Sequence, residues 1–381
     1  MQFTFHPAED FSDLKRFGRI LSQCFDAPLS DEPTYLSRIG VENTRLLWAD
    51  QEVIGGLGLL NLGQWYNRVN LPMVGVAAVG IAPEWRGQGS AIVLLKSTLQ
   101  ELHDREVPLS VLFSAAQPLY RKVGYEQAGA FCIWEVDTAS IQLHSQDLPV
   151  RSLSLDSPLF ATLYNQQAQR NQGFLDRNSV IWSNLYSFDA KSPTYAYQIG
   201  EEGYITFQQN QGRLIVKDWV LLSPAAMRQF WAFLSHHRSQ IDRIEWKSSP
   251  IDVLSLCLPD QTAKIKSLSR WMLRIVHLKQ ALEQRSYPNS IETELHLNVH
   301  DSLFSSNHGL FTLSIAKGKG TLAPGGKGEL QLSINALSPL YTGLLTAEQL
   351  ACSYQLNGTA TAIETATSLF SSPLPWMPDA F

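Results

Sequence analysis

Residues 74–91 read VGVAAVGIAPEWRGQGSA, and this stretch decides the fold prediction. Its first half is almost uninterruptedly apolar, which is typical of a strand covered on both faces of a sheet. Pro83 ends that strand, and two glycines, Gly87 and Gly89, precede a helical pattern that begins at Ser90. The sequence therefore predicts a buried strand, a tight glycine-rich turn and a helix in immediate succession.

A turn of this kind can hold a phosphate or pyrophosphate. It directs several backbone N–H groups toward one point, and the helix N-terminus adds the positive end of its dipole. Glycine matters at residues 87 and 89 because a side chain there would hold the ligand away from the backbone. The alternative is a turn that only connects the strand to the helix and binds nothing. Two glycines at this spacing, taken alone, favour this alternative over a phosphate site. No Lys-Ser or Lys-Thr follows Gly89, and Ile92 occupies the third-glycine position, so the P-loop and the complete dinucleotide motif are both excluded.

Strand and helix patterns alternate around this stretch from the N-terminus to residue 137, which predicts a mixed α/β domain. The predicted strands are Phe3–Phe5, Thr44–Ala49, Val53–Leu60, Met73–Ala82, Leu109–Ser114 and Phe131–Val136. The predicted helices are Glu9–Phe25, Ser90–Glu106 and Gln117–Val123. Prolines and acidic residues predict a loop over residues 26–33.

The rest of the chain divides into two further parts after a polar, proline-terminated stretch at residues 138–150. The middle part is again α/β but has no glycine-rich turn after a strand; its predicted elements are the strands Tyr195–Ile199, Tyr204–Gln208 and Leu214–Trp219 and the helix Pro224–His236. The last hundred residues alternate like an open sheet, with strands predicted at Glu292–Val299, Gly309–Ile315 and Gly328–Ile334 and helices at Ser338–Thr342 and Thr346–Tyr354. The turns between the last two of these strands are predicted at Gly318, Gly320, Gly325 and Gly326.

Composition and charge bound the class of protein. The chain of 381 residues is long enough for two to three domains of ~150 residues each, and its 44% hydrophobic residues exclude a disordered chain. Thirty Lys and Arg against 35 Asp and Glu give a net charge of −5, which excludes a typical nucleic-acid binder. There is no basic-then-apolar leader and no apolar run of the ~20 residues that a membrane span needs, so we expect a soluble, cytoplasmic protein without a membrane partner. Four scattered cysteines predict buried, reduced thiols and no metal site.

Two motifs carry a resemblance to a known superfamily. Residues 86–91, RGQGSA, resemble the R/Q-x-x-G-x-G/A pyrophosphate loop of the GCN5-related N-acetyltransferases. Residues 119–125, LYRKVGY, resemble the L-Y-x-x-x-G-F/Y segment of the same superfamily, and two motifs in the right order are more specific than one. The segment SPLYTG at residues 338–343 and the chain end from Pro375 to Phe381 narrow the resemblance to the Eis (enhanced intracellular survival) family.

This resemblance implies an α/β (α+β) fold in three parts. They are a catalytic acetyltransferase domain at residues 1–140, a degenerate acetyltransferase-like domain at residues 150–285 and a sterol-carrier-protein-like domain at residues 286–381. The implied co-substrate is acetyl-CoA, with no metal. The implied contacts are Val79, Gly80 and Ile81 for the pantetheine arm, Arg86, Gly87, Gln88, Gly89, Ser90, Ala91 and Ile92 for the pyrophosphate, and Ala115 and Ala116 beyond the next strand.

Acetyl transfer to an amine needs one group that donates a proton and one that accepts a proton. By the resemblance, Tyr120 is the general acid, while the alternative is that Tyr120 only packs a helix against the sheet. The Eis resemblance also implies that the general base is the terminal carboxylate, here that of Phe381, which needs an anchor because free chain ends fray. An α-carboxyl group titrates near ~3.5 and a lysine-like amine near ~10.4. The site would therefore have to desolvate both groups or pass the proton through water.

The acceptor is expected to be a cationic primary amine of aminoglycoside, lysine or polyamine type. Asp26, Asp31 and Glu32 lie in a loop that often overhangs the acceptor groove in this fold, while the alternative, which an acidic loop favours for any one of them, is a solvated surface acid. Asp379 is a further candidate substrate contact, whereas Ala380 stands where some relatives carry an acid. The resemblance implies a homo-oligomer, commonly a hexamer. The alternatives are a lipid- or sterol-binding carrier that uses the C-terminal domain, and a scaffold built on an inactive acetyltransferase fold.

Overall fold

The computed structural model describes residues 3–26, 34–143, 147–186 and 192–381. Within these ranges the strands form two sheets, one of 13 strands and one of five. Asp31 and Glu32, two of the candidate acidic side chains, lie outside the described residues. No helix in the described ranges is long and apolar enough to cross a membrane.

The first part of the chain builds one half of the large sheet. Its elements are β1 (Phe3–Pro7), α1 (Phe11–Phe25), α2 (Thr34–Ile39), β2 (Thr44–Ala49), β3 (Glu52–Tyr66), β4 (Val69–Ile81), α3 (Ser90–Asp104), β5 (Leu109–Phe113), α4 (Gln117–Arg121) and β6 (Glu126–Asp137). Strand β3 runs six residues beyond the predicted Leu60. It can do so because it forms a long hairpin with β4 through Asn67 and Arg68, whose positive φ angles of 48° and 67° suit a two-residue hairpin turn.

The middle part builds the other half. Its elements are β7 (Val150–Ser152), α5 (Leu159–Ala168), β8 (Leu175–Asp176), α6 (Ser179–Leu185), β9 (Thr194–Ile199), β10 (Gly203–Asn210), β11 (Arg213–Leu221), α7 (Pro224–Ser235), β12 (Arg243–Ser248) and β13 (Lys264–Ile275). Helix α7 begins as the sequence predicts, since the Ser223 side chain accepts a hydrogen bond from the Ala226 N–H and a proline occupies the first turn.

The two halves exchange their last strands. The order across the large sheet is β1-β2-β3-β4-β5-β13-β6-β12-β11-β10-β9-β7, with β8 paired to β3. Strand β13, from the middle part, is antiparallel to both β5 and β6, so that Trp271 lies opposite Phe113 on one side and Gly129 on the other. Strand β6, from the first part, pairs in turn with β12. The predicted boundary at residues 140–150 therefore divides the sequence but not the sheet.

The last part forms the five-stranded sheet with helices packed on it. Its elements are α8 (Leu278–Gln284), β14 (Thr293–His300), β15 (Gly309–Ala316), β16 (Lys319–Pro324), β17 (Leu330–Ser333), α9 (Ile334–Thr342), α10 (Ala347–Cys352), β18 (Leu356–Gly358) and α11 (Ala360–Phe370). One prediction here was wrong: Gly320 lies inside β16 rather than in a turn. The glycine-rich stretch holds two turns with a strand between them, and β16 pairs with β15 at the sheet edge.

A buried ion pair fastens the last part to the large sheet. The Arg274 guanidinium, on β13, donates to an Asp301 carboxylate oxygen at 2.6 Å, and both side chains are almost fully buried. The hydrophobic core below α1 is also continuous with the core of the last part, since Phe17, Trp271, Leu297 and Leu340 belong to one cluster of buried side chains. The last part is therefore packed against the large sheet through a shared core.

Candidate active site

Strands β4 and β5 part from each other in the middle of the large sheet. They are parallel and pair only from Met73 opposite Leu109 to Gly75 opposite Val111. Both strands continue past that point without further mutual pairing among the described residues. The result is a wedge-shaped opening whose narrow end lies at Gly75. On the β4 side, the pairing with β3 shifts so that Ala78 and Val79 together oppose one residue, a β-bulge with Ala78 at φ 53°.

The glycine-rich turn lies at the wide end of the opening and presents unpaired backbone N–H groups. The amides of residues 87–91 have no acceptor among the described residues. Gly87 (φ 75°) and Gly89 (φ 86°) adopt left-handed conformations, and a Cβ atom on either would meet nothing within 4 Å. The turn is held from behind, because the Ser90 hydroxyl donates to the Trp85 carbonyl and the Gln88 amide donates to the Glu84 carbonyl. An open space lined by free amides at a helix N-terminus fits a pyrophosphate.

Gly89→Ala is expected to weaken acetyl-CoA binding by roughly 10- to 100-fold, because each lost hydrogen bond to a charged group is worth about 1.5–3 kcal/mol. The left-handed backbone adds a stability cost of about 1–2 kcal/mol. Gly325→Ala is the matched control, since Gly325 (φ 100°) also faces open space but lies in the last part of the chain. Calorimetric titration with CoA and thermal unfolding measure the two effects. Equal CoA affinity in both variants would contradict a phosphate role for this turn.

The last residue of the chain fills the narrow end of the opening. A Cβ atom on Gly75 would lie 2.7 Å from Cε2 of the Phe381 ring, so only glycine leaves room for that ring. The Phe381 ring also packs edge-on against Phe113 of β5, with 5.9 Å between ring centroids. The terminal residue thus contacts both diverging strands, on the sheet face that α1 covers.

Several contacts hold the tail that leads to Phe381. The Trp376 N–H donates to the Gln172 carbonyl at 2.9 Å, and the Lys247 ammonium donates to the Pro378 carbonyl at 2.9 Å. The Asp379 carboxylate accepts from Arg177 Nε at 3.0 Å and lies 2.9 Å from its Nη2. Burial acts to lower the pKa of the Arg177 guanidinium, but the neighbouring carboxylates of Asp218 and Asp379 raise it well above its usual value. Arg177 is therefore charged at any working pH.

Tyr120 lies on the other face of the same opening. It comes from α4, is 7% exposed, and belongs to the core beneath α3 with Val74 and Leu112. Its hydroxyl has no hydrogen-bond partner in the described part of the chain, whereas the neighbouring Tyr125 hydroxyl shares a 2.7 Å hydrogen bond with Ser110. Burial raises the pKa of Tyr120 to about 12, so the hydroxyl keeps its proton at neutral pH.

Comparisons with known proteins fit this geometry. Residues 7–128 and residues 173–275 each match an acetyltransferase (GNAT) domain family, and residues 278–378 match a sterol carrier protein domain family. A solved GCN5-related N-acetyltransferase from Anabaena variabilis is 47% identical, covers 100% of both chains and superposes with a TM-score of 0.97. The chain belongs to the GCN5-related N-acetyltransferases.

More distant relatives extend the likeness to Eis proteins. The N-acetyltransferase Eis of Mycobacterium tuberculosis is 27% identical over 315 residues, which cover 76% of this chain and 75% of that protein. Eis1 from Mycobacterium abscessus shares the fold over 100% of both chains, with a TM-score of 0.85 at 18% identity. The predicted organisation of two acetyltransferase domains followed by a sterol-carrier-like domain is confirmed.

This GCN5-related N-acetyltransferase is an enzyme, and enzymes of this family use acetyl-CoA as the acetyl donor. The glycine-rich turn described above belongs to the first of the two GNAT domains. Within the described residues no group of three or more His, Cys, Asp or Glu side chains is arranged to hold a metal ion.

Two of the predicted cofactor contacts have structural tasks of their own. The Arg86 guanidinium turns back, with Nε donating to the Ile81 carbonyl at 3.1 Å and Nη2 lying 3.2 Å from Cys24 Sγ. Arg86 therefore joins the end of α1 to the end of β4, which leaves the phosphate contacts mainly to the backbone. Ser90 is 1% exposed, so its backbone N–H rather than its hydroxyl faces the turn.

The remaining predicted cofactor residues surround the opening. Gly80 and Ile81 end β4 just after the bulge, Ile92 lies in the first turn of α3, and Ala115 and Ala116 are exposed between β5 and α4. Their contacts with the donor stay predictions.

The predicted acidic substrate contacts and buried thiols need correction in part. Asp26 is exposed at the end of α1 and stays a candidate. Asp379 is 4% exposed and engaged by Arg177 and Tyr164, so the structure gives it an anchoring contact in place of the predicted substrate contact. All four cysteines are free, but only Cys132 is buried and Cys352 is exposed.

Four features of the candidate site were not predicted from the sequence. Arg177, Asp218 and Gly75 carry no motif signal, and the contact between Arg177 and Asp379 joins residues 202 positions apart. A pocket of about 180 Å³ also lies beside the tail and is lined by Ala380, by aliphatic side chains and by side chains of both charges: Ile133, Ile181, Leu185, Ile215, Lys217, Lys247, Glu245 and Asp379. Its position next to the residue before Phe381 makes it a candidate acceptor site.

Proposed function

We propose that this enzyme transfers the acetyl group of acetyl-CoA to a primary amine, with Tyr120 as general acid and the Phe381 carboxylate as general base. The observation that carries the proposal is the packing of the Phe381 ring against Gly75 at the narrow end of the opening between β4 and β5. Chain ends fray unless contacts hold them, and the packing of the Phe381 ring supplies such a contact beside the proposed pyrophosphate cradle.

The two proposed catalytic groups divide the proton transfers between the two faces of the sheet. Acetyl-CoA supplies an acetyl group that is already activated as a thioester. Tyr120, on the α3 face, carries a protonated hydroxyl that no other described side chain engages, and it would give this proton to the CoA thiolate that leaves as the amine attacks the thioester. The Phe381 carboxylate, on the α1 face, would accept the proton that the ammonium of the acceptor must lose. Because the ring of Phe381 is packed, the carboxylate needs little reorganisation to act.

The acceptor is proposed to be a cationic amine of lysine, polyamine or aminoglycoside type. Asp26 would contribute negative charge at the end of α1. The pocket beside Ala380 adds a selection against very highly charged acceptors. Lys217 and Lys247 line it, while the two carboxylates that also line it, Asp379 and Glu245, are already neutralised by Arg177 and Lys266. We therefore expect lysine-type amines to react at least as well as aminoglycosides.

A thiol-release assay tests the proposed function. The purified chain is incubated with acetyl-CoA and a lysine peptide, a polyamine or an aminoglycoside, and free thiol and acetylated product are followed together. The expected result is acceptor-dependent thiol release with at least one amine, fastest with a lysine-type acceptor. No release above the hydrolysis background with any of the three classes would contradict acetyl transfer to primary amines.

The enzyme is further proposed to be a cytoplasmic homo-oligomer, a hexamer by the resemblance to the Eis family. Support comes from one loop that exposes three large apolar side chains, Ile251, Val253 and Leu256. The alternative of a lipid carrier is not better supported. Core side chains between the sheet and helices of the last part, among them Leu297, Leu313, Leu337 and Leu369, are fully buried in one packed cluster.

A further inference from the structure

A buried cluster of four charges holds the tail two residues before the end of the chain. Arg177 donates to both Asp379 and Asp218, with 2.7 Å between its Nη1 and Asp218 Oδ2. The Arg177, Asp218 and Asp379 side chains are at most 4% exposed. The Lys247 ammonium, which binds the Pro378 carbonyl, supplies the fourth charge, so two positive groups offset two negative groups.

Aromatic side chains fix the orientation of the guanidinium. Arg177 lies over the Tyr164 ring, with 3.6 Å from Cζ to the ring centroid, and 4.7 Å from the Trp182 ring centroid. The Tyr204 hydroxyl donates to the same Asp218 oxygen at 2.7 Å. A guanidinium stacked and paired in this way has one available position, so the carboxylate of Asp379 is held in one position as well.

We call the cluster of Arg177, Asp218, Lys247 and Asp379 the clamp. Only Ala380 separates the clamp from Phe381. The chain is held on one side by the Asp379 carboxylate and on the other by the Phe381 ring against Gly75 and Phe113. Every residue of the clamp except Asp379 comes from the middle part of the chain, whose GNAT domain lacks the glycine-rich turn. The middle part therefore has a physical link to the opening in the first part.

We propose that Arg177 is a positioning residue for acetyl transfer, and that its grip on Asp379 holds the Phe381 carboxylate at the opening between β4 and β5. This inference rests on the proposed function, because it requires that carboxylate to be the general base. It assigns the second GNAT domain the role of a clamp for the chain end. A displacement of about 1 Å at a reacting group can cost roughly 10²-fold in rate, which sets the size of the expected effect.

A double-mutant cycle distinguishes positioning from plain stabilisation. Asp379→Asn removes one charge and leaves the pair between Arg177 and Asp218 intact. It is measured in two backgrounds: the natural chain, and a chain with one glycine added after Phe381, in which the Phe381 carboxylate has become a peptide amide. Positioning predicts a fall in kcat of about 10²-fold in the natural background, with KM for acetyl-CoA unchanged, and a further fall of at most about 2-fold in the extended background.

Glu101→Gln is the matched control. It breaks the ion pair between Arg45 and Glu101, 2.7 Å long and away from the tail, and should lower the unfolding temperature without a comparable loss in kcat. If Asp379→Asn does not fold, Asp379→Glu and Arg177→Lys keep the charges and change only the geometry, and the same cycle applies to them. Partial recovery of kcat in Arg177→Lys relative to Arg177→Met would support the positioning role.

The possible results separate the two proposals. An equal fall in kcat in both backgrounds, or full activity of folded Asp379→Asn in the natural background, would overturn the positioning role while leaving the general base in place. A glycine-extended chain with natural kcat would overturn the general base itself, and the positioning role with it. A third result would support both the general base and the positioning role. In that result, extension and Asp379→Asn each lower kcat in the natural chain, and the two losses do not add in the doubly altered chain.

Discussion

Adding a single glycine after Phe381 is expected to lower kcat by about 10²- to 10⁴-fold, the range that a positioned general base contributes. The added residue converts the Phe381 carboxylate into a peptide amide, which cannot accept a proton at neutral pH, while the aromatic ring keeps its seat on Gly75 and against Phe113. Unfolding temperature and acetyl-CoA affinity should change little. Initial rates at saturating acetyl-CoA and acceptor measure the effect.

Phe381→Leu is the control for this experiment. It keeps a terminal carboxylate and an apolar side chain next to Gly75 but loses the edge-on contact with Phe113 that helps to hold the carboxylate, so its rate should fall, but by less than that of the extended chain. Natural activity in the extended chain would exclude the Phe381 carboxylate as the base. A loss that is equally large in Phe381→Leu would show that the site requires the ring as well as the carboxylate.

Tyr120→Phe is expected to lower kcat by about 10²- to 10⁴-fold without changing the KM for acetyl-CoA, because it removes the proposed proton donor and little volume. Since burial raises the pKa of Tyr120 to about 12, the hydroxyl stays protonated, and Tyr120 should cause no loss of activity as the pH rises to about 10. A pH–rate profile of the natural enzyme and a single-turnover rate for the variant measure these effects.

Tyr125→Phe supplies the matched control for Tyr120. The two rings touch, with 6.0 Å between their centroids, and both are buried. The Tyr125 hydroxyl is paired with Ser110, so its removal should cost about 1 kcal/mol of stability and leave kcat unchanged. Equal rates in Tyr120→Phe and Tyr125→Phe would mean that Tyr120 only packs the helix against the sheet.

The elements predicted well are those whose signal is local. The run into β4, its proline stop and the glycine-rich turn follow from apolar content and from the conformations that only Pro and Gly favour, and the structure has them in that order. The turn and Tyr120 could be proposed as site residues because both lie in short motifs. The sequence predicts that Phe381 needs an anchor, but no local pattern identifies the residues that hold it.

What the sequence did not reveal depends on contacts between distant residues. Strand β13 begins with mostly exposed residues, two of them apolar, and ends in five buried ones that include Arg274, so its burial shows no alternation and its place between β5 and β6 follows only from tertiary pairing. Asp379 is predicted from the sequence as a substrate contact because its partner Arg177 lies 202 residues earlier in the chain, where no local pattern connects the two. The opening between β4 and β5 exists because pairing stops after Gly75, which a strand pattern cannot show.

The place of β13 between β5 and β6 also governs how this scaffold can be engineered. A fragment ending near residue 140 would lack β13. The backbone N–H and C=O groups of β5 would then be unpaired, and such an exposed strand edge promotes aggregation. A fragment beginning near residue 150 would lose β6 in the same way. Neither acetyltransferase half should therefore fold independently of the other. Chimeras with related enzymes should exchange both halves together with the C-terminal tail, which contacts both of them.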